Sequence, residues 1–229
     1  MKDLAVVETI LRNRYHFFEE IGAGIGLQAK MRAMLISSIA FLALYGAVMG
    51  STHSLWQTLS SAVKLPVLFL ATLIVCSPTL YFFNVLFGSN QSLSQNIALI
   101  LTAITVTSVL LLSFAPITLF FLLTTSHYQF FKLLNVAVFS IAGSMGVLFL
   151  SQGMRIVSAS GHEGSKARRR VLRLWILVYA FVGSQMAWTL RPFIGAPSMR
   201  FELFRNLGGN FYTNIIASIG EILGFVVVR

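Results

Sequence analysis

Five stretches of the chain, 33–50, 65–88, 97–123, 133–151 and 174–190, are predominantly apolar, and a shorter polar stretch separates each from the next. The hydrocarbon core of a bilayer takes about 17–25 apolar residues to cross as a helix. Inside lipid, backbone N–H and C=O groups must pair within their own segment, so a spanning stretch of this kind is a helix and not a lone strand. The pattern predicts five transmembrane helices, joined by polar connections at 51–64, 89–95, 124–132 and 152–173. Trp56, in the first connection, sits where an interfacial anchor belongs.

The two ends read differently. Leu4, Val7, Leu11, Tyr15 and Phe18 recur at steps of three and four, with Lys2, Glu8, Arg12 and Glu19 largely elsewhere around the wheel. That period predicts an amphipathic helix over 2–20. Its apolar face suits either the protein's own spans or the headgroup layer, where it would be an interfacial helix. Gly22, Gly24 and Gly26 then predict a hinge. Their G-x-G-x-G spacing, with no strand before it, is not a dinucleotide fingerprint. Residues 191–210 hold two prolines, three arginines and three glycines and are no span. Residues 211–228 are apolar enough for a sixth, but Glu221 sits near their middle, where an ionised carboxylate is costly. A re-entrant or interfacial helix is the alternative there. The predicted fold is all-α, a polytopic transmembrane helical bundle of five spans with a candidate sixth and an N-terminal amphipathic interfacial helix. Its parts are 1–32, helix and hinge; 33–190, the spans; and 191–229, connector and tail.

Composition supports lipid as the surroundings. The 229 residues are 56% hydrophobic with a mean hydropathy of +0.81, and 10% are charged, against about 25% in a soluble domain. Net charge is +10. In a membrane chain such an excess marks cytoplasmic loops and anionic headgroups, so nucleic acid is not the expected partner. With the N-terminus inside, the inner segments carry Lys2, Arg12, Arg14, Lys30, Arg32, Arg155, Lys166, Arg168, Arg169, Arg170 and Arg173. The outer ones carry Lys64, Lys132, Arg191, Arg200 and Arg205. This asymmetry predicts a cytoplasmic N-terminus. The first span begins too late for an ordinary signal peptide, so the N-terminus is expected to be retained. Cys76, the one cysteine, lies in an apolar segment and reads as a small hydrophobe.

Candidate chemistry is sparse. Only Glu221 among the seven acidic residues lies in an apolar stretch, and His16, His53, His127 and His162 are far apart and outside the spans. No H-E-x-x-H, G-x-S-x-G or Walker pattern occurs. No catalytic, cofactor-binding or metal-binding residue is assigned, and the chain is not expected to be an enzyme. Pro78 and Pro116 each remove a helical donor, and Thr, Ser and Asn residues, Asn84 among them, surround them in sequence. Two readings follow: helices packed through small polar groups, or a polar pathway at Pro78, Asn84, Pro116 and Glu221. No Asp, Lys or Arg lies within spans one to five to support coupled transport. Ala142, Gly143, Ser144 and Gly146 offer a small-residue contact. Trp188 and Arg191 suit a helix end at the headgroups, and Pro192 ends that helix. The basic run Lys166, Arg168, Arg169, Arg170 and Arg173 reads as a lipid contact or a topology signal.

The runs KLPVLFLATLIVCSPTLYFFNVLFGS, FAPITLFF and WTLRPF together resemble an uncharacterised family of small bacterial multi-span proteins. More distantly, the proline-interrupted spans over 65–190 are similar to Yip1-type membrane proteins, a five-span class linked to membrane organisation and trafficking. The resemblance implies residence in the bacterial cytoplasmic (inner) membrane and no catalytic residues; the segment after Arg191 departs from a plain five-span plan. The expected function is a non-enzymatic membrane scaffold or assembly subunit. Its partners would be membrane lipids, a homo-oligomer or a larger membrane complex. The rival is a channel or transporter with its pathway near Pro78 and Pro116.

Overall fold

A computed structural model describes residues 2–51, 54–86, 91–125, 127–157, 165–195, 201–204 and 209–223, of which 2, 3 and 165–169 by their backbone alone. Eight helices follow in order among them: α1 (Lys2–Arg12), α2 (Arg14–Gly22), α3 (Leu27–Gly50), α4 (Leu55–Leu86), α5 (Leu93–Thr124), α6 (Tyr128–Val157), α7 (Ser165–Thr189) and α8 (Phe211–Ile222). No strand occurs among the described residues. Five helices, α3 to α7, are long and apolar enough to cross a membrane.

The helices outrun the apolar segments. The polar stretch at 51–64 is not a loop beyond Leu55, because α4 begins there. Residues 128–132 open α6, and the basic residues from Lys166 to Arg173 form the first turns of α7. Polar residues at helix ends keep the backbone ladder intact while reaching the headgroups, so hydropathy alone truncates each span. With 32 residues each, α4 and α5 rise about 48 Å, enough to cross the headgroup layers as well as the hydrocarbon.

The centre of the bundle is α5. It packs broadly on α3 and α6, while α3 also packs on α4, and α4 carries α7 on its far side. We call the end bearing α1 and α2 the near end and the opposite one the far end. The close approach of α3 to α4 depends on Gly46 and Gly50, where an added methyl would overlap the backbone carbonyls of Ser61 and Gln57. On α6, Gly146 lies as tightly on Ala103 and Thr107 of α5, and Ala142 is fully buried. Gly143 meets nothing and Ser144 is exposed. The small-residue contact therefore uses only the 142/146 half of that sequence.

At the near end the amphipathic period over 2–20 breaks at Asn13 into two helices. Val7, Ile10, Phe17, Phe18 and Ile21 are buried against α3, α5 and α6. Leu4, Leu11 and Tyr15 remain exposed. Gly24 and Gly26 adopt positive φ, +74° and +62°, and form the turn into α3. Ser92 caps α5 through a reciprocal pair with Gln95, whose amide also donates to the Gly22 carbonyl at 2.8 Å. Lys30 donates to Glu20 at 2.8 Å and holds that carboxyl below its ordinary value of 4.5.

Candidate functional site

Buried polar groups collect in two places. The first is a seam along α5. Asn96, Thr102, Thr105, Ser108 and Thr118 are all buried, and together they run about 33 Å along the helix. Asn96 accepts from Asn84 of α4 at 3.2 Å and donates to the Ser77 carbonyl at 3.3 Å. Thr105 meets Ser38 of α3 at 3.0 Å. Near the far end the Tyr45 hydroxyl donates to Asn135 of α6 at 2.9 Å and lies 3.4 Å from Thr118. Thr102, Thr105 and Ser108 also donate to carbonyls of their own helix. Hydroxyls satisfied in this way are packing groups that let polar side chains sit in a dry interior.

The second place is a clamp at the far end. Within the first turns of α4, Gln57, Ser61 and Lys64 are 1%, 0% and 6% exposed. Gln57 donates to the Pro192 carbonyl at 2.9 Å, and Ser61 to the Phe193 carbonyl at 2.6 Å. The Lys64 ammonium reaches the carbonyls of Pro192 and Leu203, and lies 4.9 Å from the centre of the Phe204 ring. Cation and ring face attract through the ring's quadrupole. Three side chains at i, i+4 and i+7 thus take up the carbonyls of a non-helical connector. They fall in the stretch read as a loop from sequence, where their helical spacing was the available signal.

Arg191 stacks on Trp188 at 3.5 Å, and the Trp188 indole donates to the Gly209 carbonyl at 3.2 Å. The pair holds the end of α7 to the start of the tail instead of extending separately. Pro192 follows the helix end, as the sequence requires.

Pro78 and Pro116 are exposed, whereas Asn84 is buried. The structure therefore does not gather the predicted pathway residues: the buried polar groups meet along α5 and at the clamp. Close to Pro78, Trp175 of α7 donates to the Cys76 carbonyl at 3.1 Å, and Asn96 to that of Ser77. Side chains from two neighbours thus bond to this part of α4, although the carbonyl that Pro78 leaves without its helical donor is that of Ile74.

Glu221 lies in α8, whose 12 residues rise about 18 Å. It accepts from Gln129 in the first turn of α6 at 2.8 Å, and Asn214 accepts from Lys132 at 2.9 Å. The carboxylate is thus at the far end of α6, half-buried, and not at mid-height. Of the basic run, Arg170 and Arg173 are exposed, while the side chains of Lys166, Arg168 and Arg169 lie outside the described residues, as do His53, His162, Arg200 and Arg205. No group of three or more metal-ligating side chains occurs among the described residues.

No family model matches the chain, and no curated protein or solved structure matches it.

Proposed function

We propose that the chain is a non-enzymatic integral membrane scaffold or assembly subunit of the bacterial inner membrane, with its near end and basic α7 start in the cytoplasm. One observation carries this reading. Among the described residues the helix α7 packs chiefly on α4, with a smaller contact to α8, and 11% of its apolar window is buried, against 61% for α5. Leu174, Leu177, Val178 and Phe181 face outward along it. Such a peripheral span is anchored by polar contacts at both ends, through Trp175 and Trp188, and offers a long apolar face to lipid or to another subunit. The resemblance to Yip1-type proteins points the same way, and the short α8 fits an interfacial helix at the outer surface.

The channel reading rests on the seam along α5. Its hydroxyls are engaged with neighbours and with their own helix, which supports packing over conduction. Photo-crosslinking from Leu177 and Phe181 in native membranes tests the scaffold reading, with a discrete protein adduct as the expected result. Reproducible solute flux through liposomes, lost on substitution of Thr105 and Ser108, would sink it in favour of a pore. Orientation has its own readout: Ser165→Cys, in a chain lacking Cys76, should resist a membrane-impermeant thiol reagent in intact cells.

A further inference from the structure

The start of α4 is inside out. Leu55, Trp56, Leu59 and Val63 are 88%, 69%, 60% and 58% exposed, while Gln57, Ser61 and Lys64 on the other side are almost fully buried. A helix end standing in water would bury the first set and expose the second, because desolvating an amide, a hydroxyl and an ammonium is costly and exposing leucine gains nothing. The apolar ridge does not stop at the clamp. It continues through Val67, half-buried Ala71, Ile74 and Phe82, which lie on the outward side of the span itself. Residues four apart lie one above the other on a helix, so Leu55 to Phe82 form one slowly winding surface.

The connector makes the same point from the opposite side. Its described parts, 190–195 and 201–204, are not helical, so their carbonyls have no ladder to satisfy them. Non-helical backbone is tolerated at membrane depth only where protein groups satisfy it. Gln57, Ser61 and Lys64 do this for the carbonyls of Pro192, Phe193 and Leu203. Among the described residues Lys64 has no carboxylate partner; carbonyls and the Phe204 ring surround its charge.

We infer that the first three turns of α4, with the connector seated on them, lie within the far leaflet. Leu59 and Val63 contact upper acyl chains, Leu55 and Trp56 lie at the level of the lipid carbonyls, and the described parts of the connector, 190–195 and 201–204, lie at membrane depth beside them. The inference goes beyond the scaffold reading, since a pore could be embedded in the same way. The occupant of this face is lipid, because the face is continuous with the span's lipid-facing ridge.

Spin labels at Leu59→Cys and Val63→Cys, in a Cys76→Ala chain reconstituted into phosphatidylcholine–phosphatidylglycerol vesicles, test the placement. These side chains point outward, so the label replaces no internal contact. Collision with molecular oxygen should exceed collision with a water-soluble nickel chelate several-fold, approaching the ratio at Ile74→Cys in the span. Ser51→Cys, exposed at the end of α3, should show the reverse. A ratio at Leu59 and Val63 equal to that at Ser51 would place the far end in water and overturn the inference. Exclusion of both reagents would overturn it too, by showing a protein surface, such as a second copy, on that face.

Discussion

Tyr45 joins three helices at one hydroxyl, and removing it tests how the seam works. Tyr45 is fully buried and its ring packs edge-on against Phe139 at 5.7 Å. Tyr45→Phe keeps that ring contact and deletes only the O–H. The Asn135 carbonyl oxygen then loses its donor at 2.9 Å, while its amide still bonds the Phe131 carbonyl at 2.8 Å. Leaving a buried acceptor unsatisfied costs about 1–3 kcal/mol in a soluble protein. Side-chain hydrogen bonds between membrane helices average nearer 0.6, with a ceiling of about 1.7, because the unfolded chain in a membrane also finds partners. The expected loss is therefore about 1 kcal/mol, roughly a fivefold fall in the folded-to-unfolded ratio. Asn135→Leu removes the other partner at similar volume. Combining the two should cost less than the sum of the single changes, since neither group is then orphaned. The coupling expected is about 0.5–1.5 kcal/mol, against the roughly 0.3–0.5 within which independent sites add. Unfolding by SDS in mixed micelles, followed by far-ultraviolet circular dichroism, measures all four chains. Strict additivity would refute the direct Tyr45–Asn135 bond and the packing role assigned to the seam.

Three further outcomes are specific. Gly46→Ala should destabilise by about 1–3 kcal/mol through overlap with the Ser61 carbonyl, whereas Gly143→Ala, in open space, should be neutral or slightly stabilising; SDS unfolding of the two side by side decides. Glu221→Gln keeps an oxygen acceptor for Gln129 and should leave yield and monodispersity in detergent near the parent. Glu221→Lys sets a second cation near Lys132 and should lower both, and equal tolerance would mean that α8 is not held on α6. Glu20 has its carboxyl lowered by the Lys30 bond and, less strongly, by the charges of Lys30 and His16. A carboxyl depressed in the folded chain lends stability above its ordinary value of 4.5 and loses it as pH falls through the lower folded value. Melting temperature in detergent should fall on acidification below about 4.5. Lys30→Gln should flatten that fall, and an unchanged profile would count against the bond.

Hydrophobic patterning was sufficient for the all-helical class and for five helices long and apolar enough to cross a membrane, and residue type for the burial of Cys76 and the helix end before Pro192. Of the three glycines read as a hinge, Gly22 closes α2 and only Gly24 and Gly26 leave the helical pattern. These are local properties: a segment's hydropathy fixes whether lipid or water solvates it, and proline or glycine fixes what its own backbone can do. The partners of polar side chains were not legible. Gln57, Ser61 and Lys64 looked like loop residues because their acceptors lie more than a hundred positions away, on a connector that only the packing of α7 against α4 brings back. Glu221 looked like a mid-membrane charge because its depth was measured along its own segment, while its real height is set by Gln129 at the top of α6. Gly46 and Gly50 let the backbones of α3 and α4 approach closely, yet glycine is common in membrane helices and nothing local distinguishes them from Gly143. Transfer between solvents is decided segment by segment and can be read one residue at a time. Pairing depends on which helices adjoin, and that is a property of the assembled bundle.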